Sequence, residues 1–220
     1  MLDRIIEILP ELNAAFYETL IMVGIGLLVA VILGLPVGIL LFVTDQGLFW
    51  ENRGVKTVLG VIVNLIRSIP FIILLVFLFP FTDLLVGRTT GALAASVSLS
   101  VAAIPFYARI VESAAREIDK GVIEAAIAVG ASPKLIIKEI ILPETKPGLI
   151  SGLTITAISL IGYSAMAGTI GGGGIGDLAI RYGYYRYDDT VMFTTVIVLI
   201  VLVQFIQYLG DFIAKAVNKR

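Results

Sequence analysis

The feature that most constrains the fold of this chain is a series of five long apolar segments. They lie at residues 17–43, 56–79, 91–111, 147–167 and 190–214. The hydrocarbon core of a bilayer is roughly 30 Å thick, and about 20 apolar helical residues cross it. Helices satisfy their own backbone hydrogen bonds in lipid, whereas irregular segments and open strands do not. The segments therefore predict an all-α integral membrane protein with five transmembrane helices.

Composition supports a membrane protein and excludes several classes of enzyme. Apolar residues make up 58% of the chain and charged residues 15%, which is more apolar surface than one soluble core can bury. The chain has no Cys and no His, so it lacks disulfides, Cys or His metal sites and nucleophile–histidine pairs. Its formal net charge of -1 gives no case for a nucleic-acid partner.

The distribution of Lys and Arg predicts the orientation of the segments. A long charged stretch, residues 112–146, lies between the third and fourth segments. If it is cytoplasmic, eleven of the 16 Lys and Arg residues lie on that side and four lie on the other. Cytoplasmic loops carry the excess of positive charge. We therefore expect the N-terminus outside and residues 215–220 to form a cytoplasmic tail.

The first 16 residues are predicted to precede a transmembrane domain that covers residues 17–214. Four apolar residues near the N-terminus follow helical spacing: Leu2, Ile5, Ile6 and Leu9. This spacing favours a short interfacial helix on the outer side of the membrane. The apolar stretch after it is far longer than the core of a signal peptide, so we expect the first span to be retained.

The stretch 117–146 has the sequence marks of two short helices joined by a tight turn. The first contains good helix formers with small side chains: Glu124, Ala125, Ala126 and Ala128. Gly130 fits the C-terminal end of that helix, where a left-handed backbone is needed. Ser132 and Pro133 are typical of the N-cap and the first position of the next helix.

The second short helix is predicted to be amphipathic. Its apolar face is formed by four isoleucines, Ile136, Ile137, Ile140 and Ile141. Lys134 and Lys138 occupy another face. Leu142 and Pro143 are expected to end it. Neither helix is long enough to span the bilayer, so the pair is expected to pack on the inner ends of the spans. Its acidic, small-residue end is expected to face the cytoplasm.

The same stretch resembles a known family. Its residues stand at the spacing of the EAA motif of permease subunits of binding-protein-dependent ABC importers: Glu124-Ala125-Ala126, Gly130, Ile140 and Leu142-Pro143. In that family the EAA loop is a coupling helix that docks in a cleft of the ATPase. The resemblance therefore implies a type I ABC importer permease fold. It also implies that four residues contact the ATPase: Glu124, Ala125, Ala126 and Gly130.

Four other segments are similar to the methionine-importer permeases: residues 64–71, 103–109, 162–166 and 181–184. This similarity implies a homodimeric pore subunit of an amino-acid importer, for methionine, in the bacterial cytoplasmic membrane. The implied partners are two ATP-binding subunits, an extracytoplasmic substrate-binding lipoprotein and membrane lipid. A Walker A motif is absent from the sequence, so ATP and Mg²⁺ are expected on the partner ATPase and no cofactor on this chain.

Arg67 is the charge that lies deepest in a predicted span. It stands eleven residues beyond Lys56, about 16 Å along a helix, where an isolated charge is costly. Two interpretations are open for its side chain. It faces a partner or an aqueous cavity, or it bonds backbone carbonyls near Pro70.

Two stripes of polar and small residues within the spans also allow two interpretations, close helix packing or a lining of the translocation path. The stripe on the fourth segment consists of Gly152, Thr156, Ser159, Tyr163 and Met166. The stripe on the third segment consists of Ser96, Ser100 and Tyr107. The spacing Gly34-x-x-x-Gly38 favours helix packing. The candidates for the translocation path are Arg67, Ser100, Ser159, Tyr163 and Met166.

A glycine pattern near the fifth segment invites a functional interpretation that its context does not support. Gly171, Gly173 and Gly176 satisfy the dinucleotide-binding pattern G-x-G-x-x-G. No parallel strand or βαβ unit is predicted around them, so a flexible loop is the favoured interpretation. Residues 168–189 are expected to cap the outer mouth.

A charged cluster at the end of the third segment is given a structural role. Arg109, Glu112 and Arg116 lie at helical spacings of three and four residues. They are predicted to form a solvated ion-pair cluster at the inner membrane face. No substrate contact is assigned to them.

Alternative functions remain open at this point. The chain is predicted to transport methionine, another amino acid, or a solute coupled to an ion gradient. A secondary transporter is typified by inverted repeats, broken helices and intramembrane acidic residues, and five spans do not divide into equal repeats. A membrane enzyme lacks a convincing base or metal site here. A non-transporting scaffold leaves the EAA spacing unexplained.

Overall fold

Helices are the only regular secondary structure in residues 2–218, which the computed structural model describes, with side chains from residue 3. The α-helices are α1 (Leu2–Val29), α2 (Leu35–Val43), α3 (Arg53–Ser68), α4 (Phe71–Phe77), α5 (Phe79–Val86), α6 (Ala92–Arg116), α7 (Lys120–Ala128), α8 (Pro133–Ile136), α9 (Leu142–Gly168), α10 (Gly174–Leu178) and α11 (Asp189–Val217). π-Helical turns lie at Ala30–Gly34, Ile137–Ile141 and Ala179–Tyr184. The all-α prediction is confirmed. The predictions for Met1, the side chain of Leu2, Lys219 and Arg220 lie outside the described residues.

Four of the five predicted spans are continuous helices that are long and apolar enough to cross a membrane. In the described part of the chain they are Asp3–Val43, Ala92–Arg116, Pro133–Gly168 and Asp189–Val217. The remaining span, predicted at 56–79, consists of α3 and α4, whose axes differ by 102°. The number of spans is therefore five only if this bent pair is counted as one.

The break between α3 and α4 follows from the sequence Ile69-Pro70. Proline has no N–H for the helical ladder and disfavours helical backbone in the residue before it. Ile69 is accordingly extended, with φ -83° and ψ 124°, and Pro70 has φ -55° and ψ 135°. The span predicted at 56–79 is therefore two helices with a break at these two residues.

The first helix is longer than predicted. It runs from Asp3 to Val43 through a π-helical turn, without a break between an interfacial helix and the first span. At 1.5 Å per residue its 41 residues extend about 62 Å, roughly twice the hydrocarbon thickness. Its N-terminal part packs against α10 and α11. The predicted interfacial helix is thus the first part of this long helix.

The stretch after α7 also differs from the prediction. Leu142 and Pro143 do not end the second short helix, because α8 continues through the π-helical turn Ile137–Ile141 into α9. Pro143 lies in the first turn of α9, where the hydrogen-bond pattern changes from i−5 to i−4 and its missing N–H costs little. One helix of 36 residues, Pro133–Gly168, therefore joins the loop after α7 to the fourth span.

The helix α6 is the centre of the bundle and packs against α1, α2, α3, α4, α5 and α9. Its buried face is rich in small residues: Ala94, Ala95, Ser96, Ser98, Ser100, Ala103, Ala108 and Ala115. Small side chains let helices approach closely in membranes, where packing rather than the hydrophobic effect drives association. The buried part of α6 thus serves packing.

Gly34 and Gly38 are points of close approach between the first span and α6. A Cβ on Gly34 would lie 2.9 Å from the carbonyl oxygen of Ile104. A Cβ on Gly38 would lie 2.5 Å from both the carbonyl oxygen of Ala108 and the Cβ of Val111. These contacts confirm that Gly34-x-x-x-Gly38 is a helix-packing motif.

We expect Gly38→Ala to destabilise the chain by about 1–3 kcal/mol, because the added methyl group has no space beside α6. Gly24→Ala is the matched control, since Gly24 lies in the same long helix and nothing lies within 4 Å of its added Cβ. Thermal unfolding of the two purified variants in one detergent checks this prediction. Equal unfolding temperatures would show that α6 yields to the extra methyl group.

Candidate functional site

The helix α7 and the turn after it form the loop that the EAA motif marks. The carboxylate of Asp119 caps α7 by accepting a hydrogen bond from the N–H of Gly121 at 2.8 Å. Gly130 follows the helix with φ 79°, which confirms its predicted left-handed conformation. The hydroxyl of Ser132 accepts a hydrogen bond from the N–H of Leu135 at 3.4 Å, which confirms the predicted N-cap.

The two faces of α7 have different surroundings. Ile123 and Ala126 are buried in the core of the bundle, with Ala126 only 7% exposed. Glu124, Ala125 and Gly130 are exposed. The side chain of Ala126 therefore faces the chain's own core, and only the other three of the motif residues lie on the outer surface of the loop.

Exposed apolar side chains surround Glu124 and Ala125, and we did not single them out from the sequence. Val129 is 84% exposed at the end of α7, and Val122 and Ile127 are also exposed. Exposed apolar residues that cluster around a polar group are typical of protein contact surfaces. We call the residues Val122, Glu124, Ala125, Ile127, Val129 and Gly130 the coupling surface. The sequence feature that could have indicated this surface is Val129, the apolar residue immediately before Gly130.

A charged cluster joins α6 to α3 and to the segment before it. The Oε1 atom of Glu112 lies 2.5 Å from Lys56 Nζ and 3.0 Å from Arg116 Nη2, and its Oε2 lies 2.6 Å from Arg109 Nη1. Glu112 is 3% exposed, so the prediction of a solvated cluster is wrong for this carboxylate. Its position is explained by three cations that compensate its desolvation.

The cluster has a second anion at its edge, Asp45. Desolvation alone raises the pKa of Asp45, but hydrogen bonds from the N–H of Gln46 and from Arg116 outweigh it and hold this pKa below the ordinary value. Lys56 Nζ lies 3.5 Å from the carboxylate and also donates to the carbonyl oxygen of Leu41 at 2.8 Å. The cluster thereby fixes the end of α2 and the start of α3 against α6.

The glycine-rich segment near α10 is a packing site. The N–H of Gly174 donates to Glu18 Oε2 at 2.7 Å, and a Cβ on Gly173 would lie 2.6 Å from the same oxygen. A Cβ on Gly176 would lie 2.4 Å from the Cα of Ala165. The pattern Gly171-x-Gly173-x-x-Gly176 thus allows close approach of helices. This reason for the glycines replaces the flexible-loop interpretation.

The segment after α10 is aromatic and is held by ion pairs. Arg4 Nε donates to Asp188 Oδ2 at 2.7 Å, and this hydrogen bond lowers the pKa of Asp188. Three of the four tyrosines of the segment are exposed: Tyr184, Tyr185 and Tyr187. The chain therefore presents an aromatic surface at the end of the bundle opposite to the coupling surface.

A cavity of about 170 Å³ lies at the break between α3 and α4. Its walls come from α3, α4, α6 and α9: Ile66, Arg67, Ile69, Phe71, Leu74, Ala102, Phe106 and Tyr163. The rings of Phe71 and Tyr163 stack with centroids 4.5 Å apart and planes within 6°. We call this space the break cavity.

The structure separates the five candidates for the translocation path. Arg67 and Tyr163 line the break cavity. Met166 is 47% exposed on the face of α9 that Ser159 shares. Ser100 is buried and donates to the carbonyl oxygen of Ser96 at 2.7 Å, so it lies within the bundle, away from this surface.

The other residues of the two stripes serve helix packing. A Cβ on Gly152 would lie 2.2 Å from Ile110 Cγ2, and the buried hydroxyl of Thr156 donates to the Gly152 carbonyl at 2.7 Å. Tyr107 is buried and donates to the carbonyl oxygen of Leu149 at 3.2 Å. Each stripe is therefore a packing surface in part.

Comparisons with known proteins agree with this geometry. A family model described as "Binding-protein-dependent transport system inner membrane component" matches residues 26–220. The "Probable D-methionine transport system permease protein MetI" of Vibrio cholerae is 48% identical over 209 residues, which are 95% of this chain and 93% of that protein. The "Methionine import system permease protein MetP" of Bacillus subtilis is 48% identical over 212 residues, 96% of each chain.

Solved structures agree as well. A structure titled "Inward facing conformations of the MetNI methionine ABC transporter" has a TM-score of 0.95 at 46% identity and covers 97% of this chain and 99% of that one. An amino acid ABC transporter superposes with a TM-score of 0.80 at 16% identity, which shows the fold alone. The predicted type I ABC importer permease fold is thereby confirmed. The chain belongs to the family of inner membrane components of binding-protein-dependent transport systems.

Proposed function

We propose that this chain is the transmembrane pore subunit of an ATP-driven importer of methionine. It would move the amino acid from an extracytoplasmic binding protein to the cytoplasm. The names of the relatives and the match along nearly the whole chain support this substrate. The observation that carries the proposal is the coupling surface, where Glu124, Ala125 and Val129 are exposed on a chain that has no Walker A motif.

The proposed assembly is a homodimer with two ATP-binding subunits, and ATP and Mg²⁺ bind to those subunits. Two copies about a two-fold axis present two coupling surfaces, one to each ATPase. The helix α11 supports such an assembly because it is apolar and mostly exposed: Phe193, Ile197, Val201, Phe205 and Phe212. Such a helix fits membrane lipid or a second copy of the chain.

We assign the N-terminus to the outside and the C-terminus to the cytoplasm. Residues 1–16 form the outer segment, 17–214 the transmembrane domain with the loop 117–146, and 215–220 the cytoplasmic tail. The support is the excess of Lys and Arg on the side of the coupling surface. In this orientation the aromatic segment with Tyr184, Tyr185 and Tyr187 lies outside, where it would cap the outer mouth and meet the binding protein.

The coupling surface would transmit work from the ATPase to the spans. Movement of the ATPase pair displaces α7, whose inner face is packed on the bundle through Ile123 and Ala126. The displacement changes the spans only if the partner binds the two conformations with different affinity. On the path we place Arg67, Ser159, Tyr163 and Met166, and we assign Ser100 to helix packing.

Reconstitution tests this function. The chain is inserted in proteoliposomes with its ATPase and binding protein, and uptake of labelled methionine is measured with ATP on the ATPase side. We expect uptake that requires ATP and the binding protein. Preferential uptake of another labelled amino acid would identify that amino acid, and not methionine, as the substrate. Uptake driven by an ion gradient without ATP would favour a secondary transporter.

A further inference from the structure

The cation Arg67 lines the break cavity and is exposed there in the single chain. The guanidinium of Arg67 makes no hydrogen bond or ion pair with any residue in the described part of the chain. The arginines of α6 differ from it, since Arg109 and Arg116 both contact the carboxylate of Glu112. The anchor interpretation, in which Arg67 bonds carbonyls near Pro70, therefore finds no contact.

The position of Arg67 makes an unpaired charge costly. The cluster around Lys56 and Glu112 marks one end of α3, and Arg67 lies about 16 Å along the helix from it. In a hydrocarbon core of about 30 Å this is near the middle of the bilayer. Ionisable residues at such depth face the bundle interior or a water-filled cavity and mark substrate or ion pathways. An anionic ligand in the break cavity would satisfy this guanidinium.

The end of α3 also offers hydrogen-bond acceptors to a ligand. The last four carbonyl groups of a helix have no intrahelical donors, and Pro70 supplies no N–H to them. One of these groups is satisfied locally, since the N–H of Ile69 donates to Ile66 at 3.2 Å. The remaining carbonyls carry partial negative charge at the helix C-terminus, which favours a cation. A ligand with both a carboxylate and an ammonium group matches this pair of features.

The remaining walls of the cavity are apolar and aromatic. Phe71 and Tyr163 form the stacked pair, and Phe106, Leu74 and Ala102 complete the lining. The volume of about 170 Å³ is below the 300–1,000 Å³ typical of drug-sized ligands, so the cavity suits one small molecule. Aromatic rings also make favourable contacts with a thioether sulfur.

We propose that Arg67 binds the α-carboxylate of the transported amino acid at the break cavity, with the apolar side chain of the substrate against Phe71, Phe106 and Tyr163. The proposal rests on the proposed import function and adds an intramembrane binding site to it. The carboxylate is bound by charge and the side chain by shape. The site therefore accepts zwitterionic amino acids with uncharged, apolar side chains and rejects analogues that lack the carboxylate.

The first test uses the complete permease–ATPase complex without the binding protein. Binding of labelled methionine is measured by scintillation proximity in detergent, with unlabelled norleucine or methioninol as competitor. We expect saturable binding that norleucine displaces and that methioninol, which has no carboxylate, does not displace. Displacement by methioninol equal to that by norleucine, or no saturable binding at millimolar methionine, would overturn the proposal.

The second test compares Arg67→Gln with Arg67→Lys, and Arg88→Gln serves as the matched control. Arg88 is exposed in the segment before α6, and the control makes the same change of charge. We expect Arg67→Gln to weaken methionine binding about 10- to 100-fold and Arg67→Lys to restore part of it. Arg88→Gln is expected to bind and transport as the unmodified chain does.

The two tests distinguish the site from the function. ATP-dependent methionine uptake by the unmodified complex, together with equal uptake and binding by Arg67→Gln, would reject the site and retain the function. Absence of methionine uptake by the unmodified complex would reject the function itself. If Arg67→Gln does not assemble, the competition by methioninol in the unmodified complex still decides whether the carboxylate is recognised.

Discussion

The Glu112→Ala chain is expected to accumulate poorly as a folded protein, because the substitution removes the buried carboxylate that three cations share and leaves only Asp45 to pair with Lys56 and Arg116. Lys56, Arg109 and Arg116 all lie within 3.0 Å of the Glu112 carboxylate. Removal of one partner from a buried ion pair costs about 3–5 kcal/mol. This is a large part of the 5–15 kcal/mol that typically separates folded from unfolded protein. The measurement is the yield and thermal unfolding of the purified chain in detergent.

Two other variants complete that experiment. Glu139→Ala is the control, since Glu139 is exposed and, among residues 3–218, pairs only with Lys138 at 3.3 Å, so its loss is expected to cost less than about 1 kcal/mol. Glu112→Gln keeps the shape and part of the hydrogen bonding, and its stability is expected to fall between the two. Equal stability of the Glu112→Ala and Glu139→Ala chains would mean that the cluster does not hold α3 and α2 to α6.

Glu124→Lys is expected to abolish association with the ATPase and ATP-dependent uptake together. Glu124 is exposed on the coupling surface, so the change reverses a charge at the contact without disturbing the core. A central contact residue contributes about 2 kcal/mol or more, which corresponds to roughly 30-fold in affinity. Co-purification of the ATPase and uptake in proteoliposomes measure the two effects on the same preparation.

Asp83→Lys is the control for this reversal, because Asp83 is exposed on α5, at the other end of the bundle. We expect it to co-purify with the ATPase as the unmodified chain does. Unfolding temperatures of both variants should match that of the unmodified chain. If Glu124→Lys retains the ATPase, Glu124 does not belong to the contact, and Ala125 and Val129 become the residues to substitute next.

The sequence predicted the fold class because the apolar segments are long. It predicted the turn at Gly130 and Ser132 because local hydrogen bonds determine caps. It did not predict that Ala126 is buried, since helical spacing defines the faces of α7 but not the neighbour that each face meets. Short apolar helices on a bundle need the tertiary structure to distinguish a packed face from an open one.

The prolines were the main source of error, in both directions. Pro143 was expected to end a helix, but the chain continues through the π-helical turn Ile137–Ile141 into α9, and Pro143 lies in the first turn of α9. Pro70 was not expected to break a span, and the chain bends by 102° there. The local rule for proline is the same at both positions, but packing decides whether the chain bends or continues. The burial of Glu112 was not predicted for a similar reason. Lys56, one of the cations that contact its carboxylate, is 56 residues away in the sequence.

The continuous helix Pro133–Gly168 has a mechanical consequence. It is about 54 Å long, and it carries the turn beside Gly130 near one end and Tyr163 near the other. No loop separates these two points, so a displacement of the end beside Gly130 is carried along the helix to Tyr163. Tyr163 lies on this helix and its ring stacks on Phe71 of α4, so a tilt of the helix relative to α4 changes this contact. The turn beside Gly130 and the ring of Tyr163 are thus connected by one continuous helix.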